Sequence, residues 1–136
     1  MRMLLIHGDF RYRTRERVRI RVVEEATKGW EEFKNVLVVF TCVERQDEGR
    51  PNIASRTASE IAVVADRVKA GRIALYPYAH LSDSLARAAS ALSIIKGVGE
   101  ELERMGYKVT RSPFGFYKEF ILHCYGHPLA ESFRAL

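Results

Sequence analysis

Reactive side chains collect in three short runs of this sequence, Tyr76 to Ser82, Pro113 to Lys118 and Gly126 to Glu131. They supply a histidine (His80), a tyrosine next to a lysine (Tyr117, Lys118) and a glutamate (Glu131). Such groups can place a water, take a proton near neutral pH, or oppose a developing negative charge. Each also has a plain structural use. His80 fits a satisfied histidine in the loop before a helix, and Lys118 a solvated strand residue. Glu131 fits the first turn of a C-terminal helix begun at Pro128, where the helix dipole favours an acid. Taken singly, the structural uses are the better readings, so any chemistry has to come from the three runs acting together.

Other chemistries fit less well. His123-Cys124-x-x-His127 and His7-x-Asp9 contain metal-ligand types, but neighbouring residues of a strand point to opposite faces and no second Cys/His pair completes a tetrahedral set. No metal site and no cofactor are expected. Neither Cys42 nor Cys124 adjoins a feature that would lower its pKa, such as a helix N-terminus, which argues against a cysteine nucleophile. The sequence has no glycine-rich phosphate loop after a strand and no dinucleotide fingerprint, so ATP chemistry is not expected here.

The elements that must hold these runs follow from hydrophobic periodicity. Met1 to His7 reads as a buried strand ending at the turn-prone Gly8-Asp9. A second strand runs from Arg11 to Val23, with arginine at every odd position from Arg11 to Arg21 and Tyr12, Val18, Ile20 and Val22 on the other parity. Val36 to Val43 is a core strand, and Glu44 to Pro51 a charged loop. Asn52 caps a helix that ends by Gly71, and Arg72 to Tyr76 is a short strand. Ser82 or Asp83 caps a long helix stopped by Gly106; Tyr107 to Thr110 and Phe116 to Tyr125 are strands. Pro128 to Leu136 reads as the opening of a further element, which a longer chain would continue. The expected fold is a single α+β domain over residues 1–136, of order β-β-β-α-β-α-β-β.

Composition sets the outer bounds. With 136 residues and 47% apolar content, one domain can bury a core without staples. Two cysteines are too few for a disulfide framework and suit reduced thiols in a cytoplasmic protein. No apolar run approaches the roughly 18 to 20 residues of a membrane span, and the N-terminal segment lacks the form of a signal peptide. A net charge of +5 favours a polyanionic partner and equally serves solubility. The arginine row, roughly 33 Å long at strand rise, can follow several phosphates through Arg13, Arg15 and Arg17, or simply protect an edge strand against pairing.

Read jointly, LLIHGDF, VLVVFTCVE, YPYAHLS, SPFGFYK and GHPLAE occur in an order that resembles the N-terminal editing domain of archaeal threonyl-tRNA synthetases across nearly the whole chain. The departures are the arginine-rich second strand, and Tyr78 and Phe116, where the family usually has Phe and Tyr. That family is similar in fold to bacterial-type D-aminoacyl-tRNA deacylases, which implies a homodimer with sites near the strand ends. The resemblance implies proofreading hydrolysis of L-seryl-tRNA(Thr), with the tRNA 2′-hydroxyl taking part, so that no protein nucleophile is required.

In such a site Lys118 would hold the attacking water or compensate the oxyanion, and His80 would orient water or accept a proton. Glu131 would receive the substrate ammonium or tune Lys118, while Tyr117 supplies a rim hydroxyl. Pro77, Tyr78, Ala79, Phe114 and Gly115 would line the aminoacyl pocket and Val43 would face the adenine. The implied partners are the serine-charged 3′ end of tRNA(Thr) and a synthetase core, in cis or in trans. The alternatives are a D-aminoacyl-tRNA deacylase, a catalytically silent tRNA-binding module and, third, a metal-dependent hydrolase.

Overall fold

The computed structural model describes residues 1–26 and 28–136. Its axis is one long strand, β1 (Arg2–Arg17), paired antiparallel along one edge with β2 (Glu31–Cys42). Two strands share the other edge of β1. β5 (Phe116–Cys124) lies along Gly8 to Arg17, and β6 (Glu131–Ala135) along Arg2 to Ile6. From β2 the chain passes through α1 (Ile53–Val68) to β3 (Arg72–Pro77), then through α2 (Ala88–Arg104) to β4 (Val109–Arg111). Each helix serves as the crossover that a parallel pair demands, so β2, β3 and β4 run parallel and the sheet order is β4-β3-β2-β1-β5.

Strand alternation divides the apolar residues between two faces. Met3, Leu5, Leu37, Val39, Ile73 and Leu75 meet the helices, whose inward stripes carry Ala58, Ile61 and Ala65 from α1 and Ile95, Val98 and Leu102 from α2. The opposite face is aromatic, with Phe10, Tyr12, Phe40 and Tyr76 all buried. Phe120 of β5 lies 5.6 Å from the ring of Tyr76 on β3, although β1 and β2 intervene. A flat sheet would hold those strands about 14 Å apart, three strand spacings. The sheet therefore curls strongly, and its far edge folds over the aromatic face.

The order of elements is β-β-α-β-α-β-β-β, which differs from the sequence expectation at both ends. The expected first two strands are one, because Gly8 stays in the ladder, opposite both Val36 and Cys124, instead of turning. A Cβ at Gly8 would stand 2.0 Å from the carbonyl oxygen of His123, so glycine serves close approach of β5. The strand ends at Arg17 rather than Val23. β2 begins earlier than Val36, with the register shift opposite Gly8 and Phe10 taken up at Lys34 and Asn35, the latter at φ +49°.

At the helices, α1 starts after Asn52 as expected and closes on Lys69 in the left-handed conformation, two residues before Gly71. α2 begins only at Ala88, because Leu85 bridges to Glu44 and the Ser82 hydroxyl donates to the Glu44 carboxylate at 2.8 Å. The last segment is a strand and not a helix, since the free edge of β1 from Arg2 to Ile6 supplies its backbone partners. Glu131 accordingly opens β6 and has no helix dipole beside it. Among the described residues no helix is long and apolar enough to cross a membrane.

Candidate active site

A cavity of about 440 Å³ opens where the C-terminal ends of β2 and β3 meet α2 and the turn before β5. Its walls bring together Val43, Pro77, Tyr78, Ala79, Phe114, Gly115 and Lys118, which come from distant parts of the sequence. The first wall is fixed by backbone bonds. Tyr78 N–H donates to Thr41 C=O at 2.7 Å, and Ala86 N–H to Val43 C=O at 3.1 Å. Glu44, buried beneath this loop, also pairs with Arg2 at 3.1 Å.

The second wall is the turn Ser112 to Gly115, held by Glu24. Its carboxylate forms a two-pronged pair with Arg111, both N–H···O distances being 3.0 Å, and accepts the Phe114 N–H at 3.1 Å. Burial works to raise the Glu24 pKa, but the Arg111 and Phe114 hydrogen bonds outweigh it and hold the carboxylate below its usual range. Gly115 sits at φ +95°, and a Cβ there would lie 3.1 Å from the backbone of Val23. The turn thus needs glycine both for its conformation and for the approach of the 18–24 segment.

Lys118 lies on β5, on the same parity as Phe116 and Phe120, which turns its stem along the aromatic face. Its ammonium donates to Phe116 C=O at 3.2 Å and lies 5.0 Å from the centre of the Tyr76 ring. Burial pushes its pKa down from the ordinary 10.5 to about 8, and the Glu24 carboxylate partly counters that shift. A lysine so placed remains mainly protonated near neutral pH and offers its charge to one oxygen inside an apolar cavity. Cys42 also reaches the cavity, with its thiol 3.8 Å from Ala79 C=O. Burial and the nearby Glu44 carboxylate raise its pKa, which disfavours the thiolate.

The other site candidates lie elsewhere. His80 is exposed in the short turn Ala79–Leu81, its ring 5.1 Å from that of Tyr78 and outside the cavity lining. Tyr117, 64% exposed, projects from the opposite face of β5. Glu131 is exposed on β6, opposite Ile6. Arg13 pairs with Glu119 at 2.6 Å and Arg15 approaches the same carboxylate at 3.9 Å, while Arg11 and Arg13 stack on Trp30. Arg17 is exposed at the end of β1.

Of the histidines weighed as metal ligands, His7 and His127 make a hydrogen-bonded chain. Leu129 N–H donates to His127 Nδ1 at 3.2 Å, which places the His127 proton on Nε2, 2.7 Å from His7 Nδ1. His7 in turn donates from Nε2 to Asn35 Oδ1 at 2.7 Å. His123 is exposed and 3.7 Å from Asp9. Among the described residues no group of three or more His, Cys, Asp or Glu side chains has metal-binding geometry.

Sequence reasoning missed Glu24 and Arg111, which look like ordinary surface charges, and Val18 and Ile20, which line the cavity. Their inward parity was visible, but the departure of the chain from the sheet after Arg17 was not.

A sequence profile for the archaea-specific editing domain of threonyl-tRNA synthetase matches residues 1–136. The chain is 45% identical over its full length to a threonine–tRNA ligase of Thermococcus gammatolerans and covers 22% of that protein. It is 44% identical to the threonine–tRNA ligase of Methanopyrus kandleri and 42% identical to that of Methanobrevibacter smithii, again over its full length, covering 22% and 23% of them. The chain thus spans about a fifth of the length of these relatives, and it belongs to the archaea-specific family of threonyl-tRNA synthetase editing domains.

Proposed function

We propose that the chain hydrolyses the ester of L-serine wrongly attached to tRNA(Thr). The observation that carries this reading is Lys118, a partly desolvated cation in an otherwise mostly apolar cavity walled by the backbone of Pro77 to Ala79 and of Phe114 to Gly115. At about 440 Å³ the cavity has the size of a small-ligand site and can take a terminal adenosine with a small amino acid. Attack of water on the ester carbon builds negative charge on the carbonyl oxygen as the carbon becomes tetrahedral; collapse expels the ribose oxygen, which leaves with a proton. The Lys118 ammonium positions the water or meets the oxyanion, backbone N–H groups of the two walls orient the ester, and the 2′-hydroxyl of the terminal ribose assists. With the Cys42 thiol held protonated, water is the nucleophile.

His80, Tyr117 and Glu131 lie outside the lining of this copy's cavity, and in this reading Tyr117 and Glu131 act on the cavity of a second copy. The exposed apolar side chains of Tyr117, Ile121, Leu129 and Phe133 favour a homodimer of D-aminoacyl-tRNA deacylase-like fold, which would bring rim residues of a second copy to the cavity. A synthetase core in cis supplies the mischarged tRNA, in a cytoplasmic setting. The deciding assay is release of serine, threonine and D-amino acids from separately charged tRNA(Thr). Serine should leave fastest; equal release of threonine, or preference for a D-amino acid, would sink the proposal.

A further inference from the structure

The arginine row divides into two halves with different surroundings. Arg11 and Arg13 stand on the regular part of β1 and Arg15 at its register shift against β5, engaged by Trp30 and Glu119. Arg17, Arg19 and Arg21 are all exposed and line an open groove with Val18 and Ile20 between them. Val18 and Ile20 also line the cavity that holds Lys118, so one short segment forms a wall of both.

This segment is anchored. Val18 N–H donates to Gly115 C=O at 2.8 Å and Glu24 N–H to Phe114 C=O at 3.0 Å, which ties it to the turn carrying the second cavity wall. Among the described residues no carboxylate pairs with Arg17, Arg19 or Arg21, and the half-buried Glu24 further along the segment is committed to Arg111. The segment leaves the strand after Arg17 and bends at Arg19 and Arg21, with Ile20 N–H donating to Val18 C=O at 2.9 Å, so the three guanidinia are gathered around a tight turn beside the cavity wall. Three exposed guanidinia gathered on one short segment, none of them paired with a carboxylate among the described residues, suit the phosphates of one strand, because each can bind one phosphate in a forked geometry.

We propose that Arg17, Arg19 and Arg21 form a phosphodiester clamp that holds the single-stranded 3′ end of an RNA across the mouth of the Lys118 cavity. Arg11, Arg13 and Arg15 instead brace the outer part of the sheet. The identity of the RNA end rests on the esterase reading; the clamp itself rests on the groove.

The test is binding of the intact chain to a short single-stranded RNA ending in adenosine, followed by fluorescence anisotropy over a range of salt. The variants are Arg17→Gln/Arg19→Gln/Arg21→Gln, Arg13→Gln/Arg15→Gln and Arg19→Gln alone, the last guarding against misfolding of the triple variant. At about 0.7 units of log–log salt slope per phosphate on a single strand, the triple variant should lose about 2 units and Arg19→Gln about 0.7, whereas the double variant should lose less than one phosphate's worth. A wild-type slope in Arg19→Gln or in a folded triple variant, or an equal loss in the double variant, overturns the clamp and leaves the esterase reading intact. A wild-type chain that binds with the steep slope but releases no amino acid from charged tRNA overturns the esterase reading and leaves the clamp standing.

Discussion

The Lys118 ammonium lies 5.0 Å from the centre of the Tyr76 ring, so this cavity-lining lysine is held by an aromatic face and a backbone carbonyl. Neither partner neutralises the charge, which stays available to a substrate oxygen. Lys118→Met keeps the stem volume and removes the charge. Serine release from tRNA(Thr) should fall by about 100-fold or more, with a much smaller change in tRNA affinity. Single-turnover kinetics with a parallel binding titration checks this, and a wild-type rate would shift the central role to His80.

The lysine pKa of about 8 gives the reaction a signature. If the ammonium is the working form, the rate corrected for spontaneous hydrolysis should decline above about pH 8. A rate that climbs through that pH would instead identify the neutral amine as a base. Stability should move the other way. Between about 8 and the ordinary 10.5 the unfolded chain binds more protons at this lysine than the folded one, so folding is favoured as pH rises through that window. Denaturation across that range should show the rise in the wild type and a smaller one in Lys118→Met.

Glu24 supports the Lys118 charge from a distance while gripping Arg111. Glu24→Gln leaves an oxygen to accept the Phe114 N–H but removes the negative charge. The decline of the pH–rate profile should therefore move to lower pH than in the wild type. An unchanged profile would show that Glu24 serves only to brace the turn.

At Gly8 the expectation concerns stability. An alanine Cβ would meet the His123 carbonyl oxygen at 2.0 Å, and that oxygen belongs to a paired strand that cannot swing aside. Gly8→Ala should cost at least about 3 kcal/mol, the upper part of the usual range for overpacking, measured by urea unfolding. A loss below 1 kcal/mol, roughly the average point substitution, would mean that β5 shifts freely.

Much of this architecture was legible where local pattern and tertiary context agree. The apolar run Val36 to Val43 falls in β2 up to Cys42, one residue short of its expected end, and the amphipathic stretch after Asn52 forms α1. Reading failed where distant partners override local signals. Gly8-Asp9 looks like a turn, yet two neighbouring strands hold Gly8 in register. Ser82 and Asp83 look like helix caps, yet Glu44 captures Ser82 and Leu85. The final strand follows Pro128, a helix-start signal, and forms because an unpaired edge awaits it. At the site, the runs at Tyr76 to Ser82 and Pro113 to Lys118 contribute the two cavity walls, whereas the Glu24–Arg111 pair, 87 residues apart, leaves no trace in either local neighbourhood.

The sharing of one edge of β1 by β5 and β6 has a consequence for synthesis on the ribosome. Arg2 pairs with Ala135 and Gly8 with Cys124, so a strand from the early part of the domain is completed by two that are translated well over a hundred residues after it begins. Until both have emerged, its outer edge lacks its native partners, exposed to pairing with other nascent chains, and loop closure over most of the sequence must precede the final ladder. Shielding that edge while the strand waits for its partners would therefore raise the yield of folded protein without changing the stability of the finished sheet.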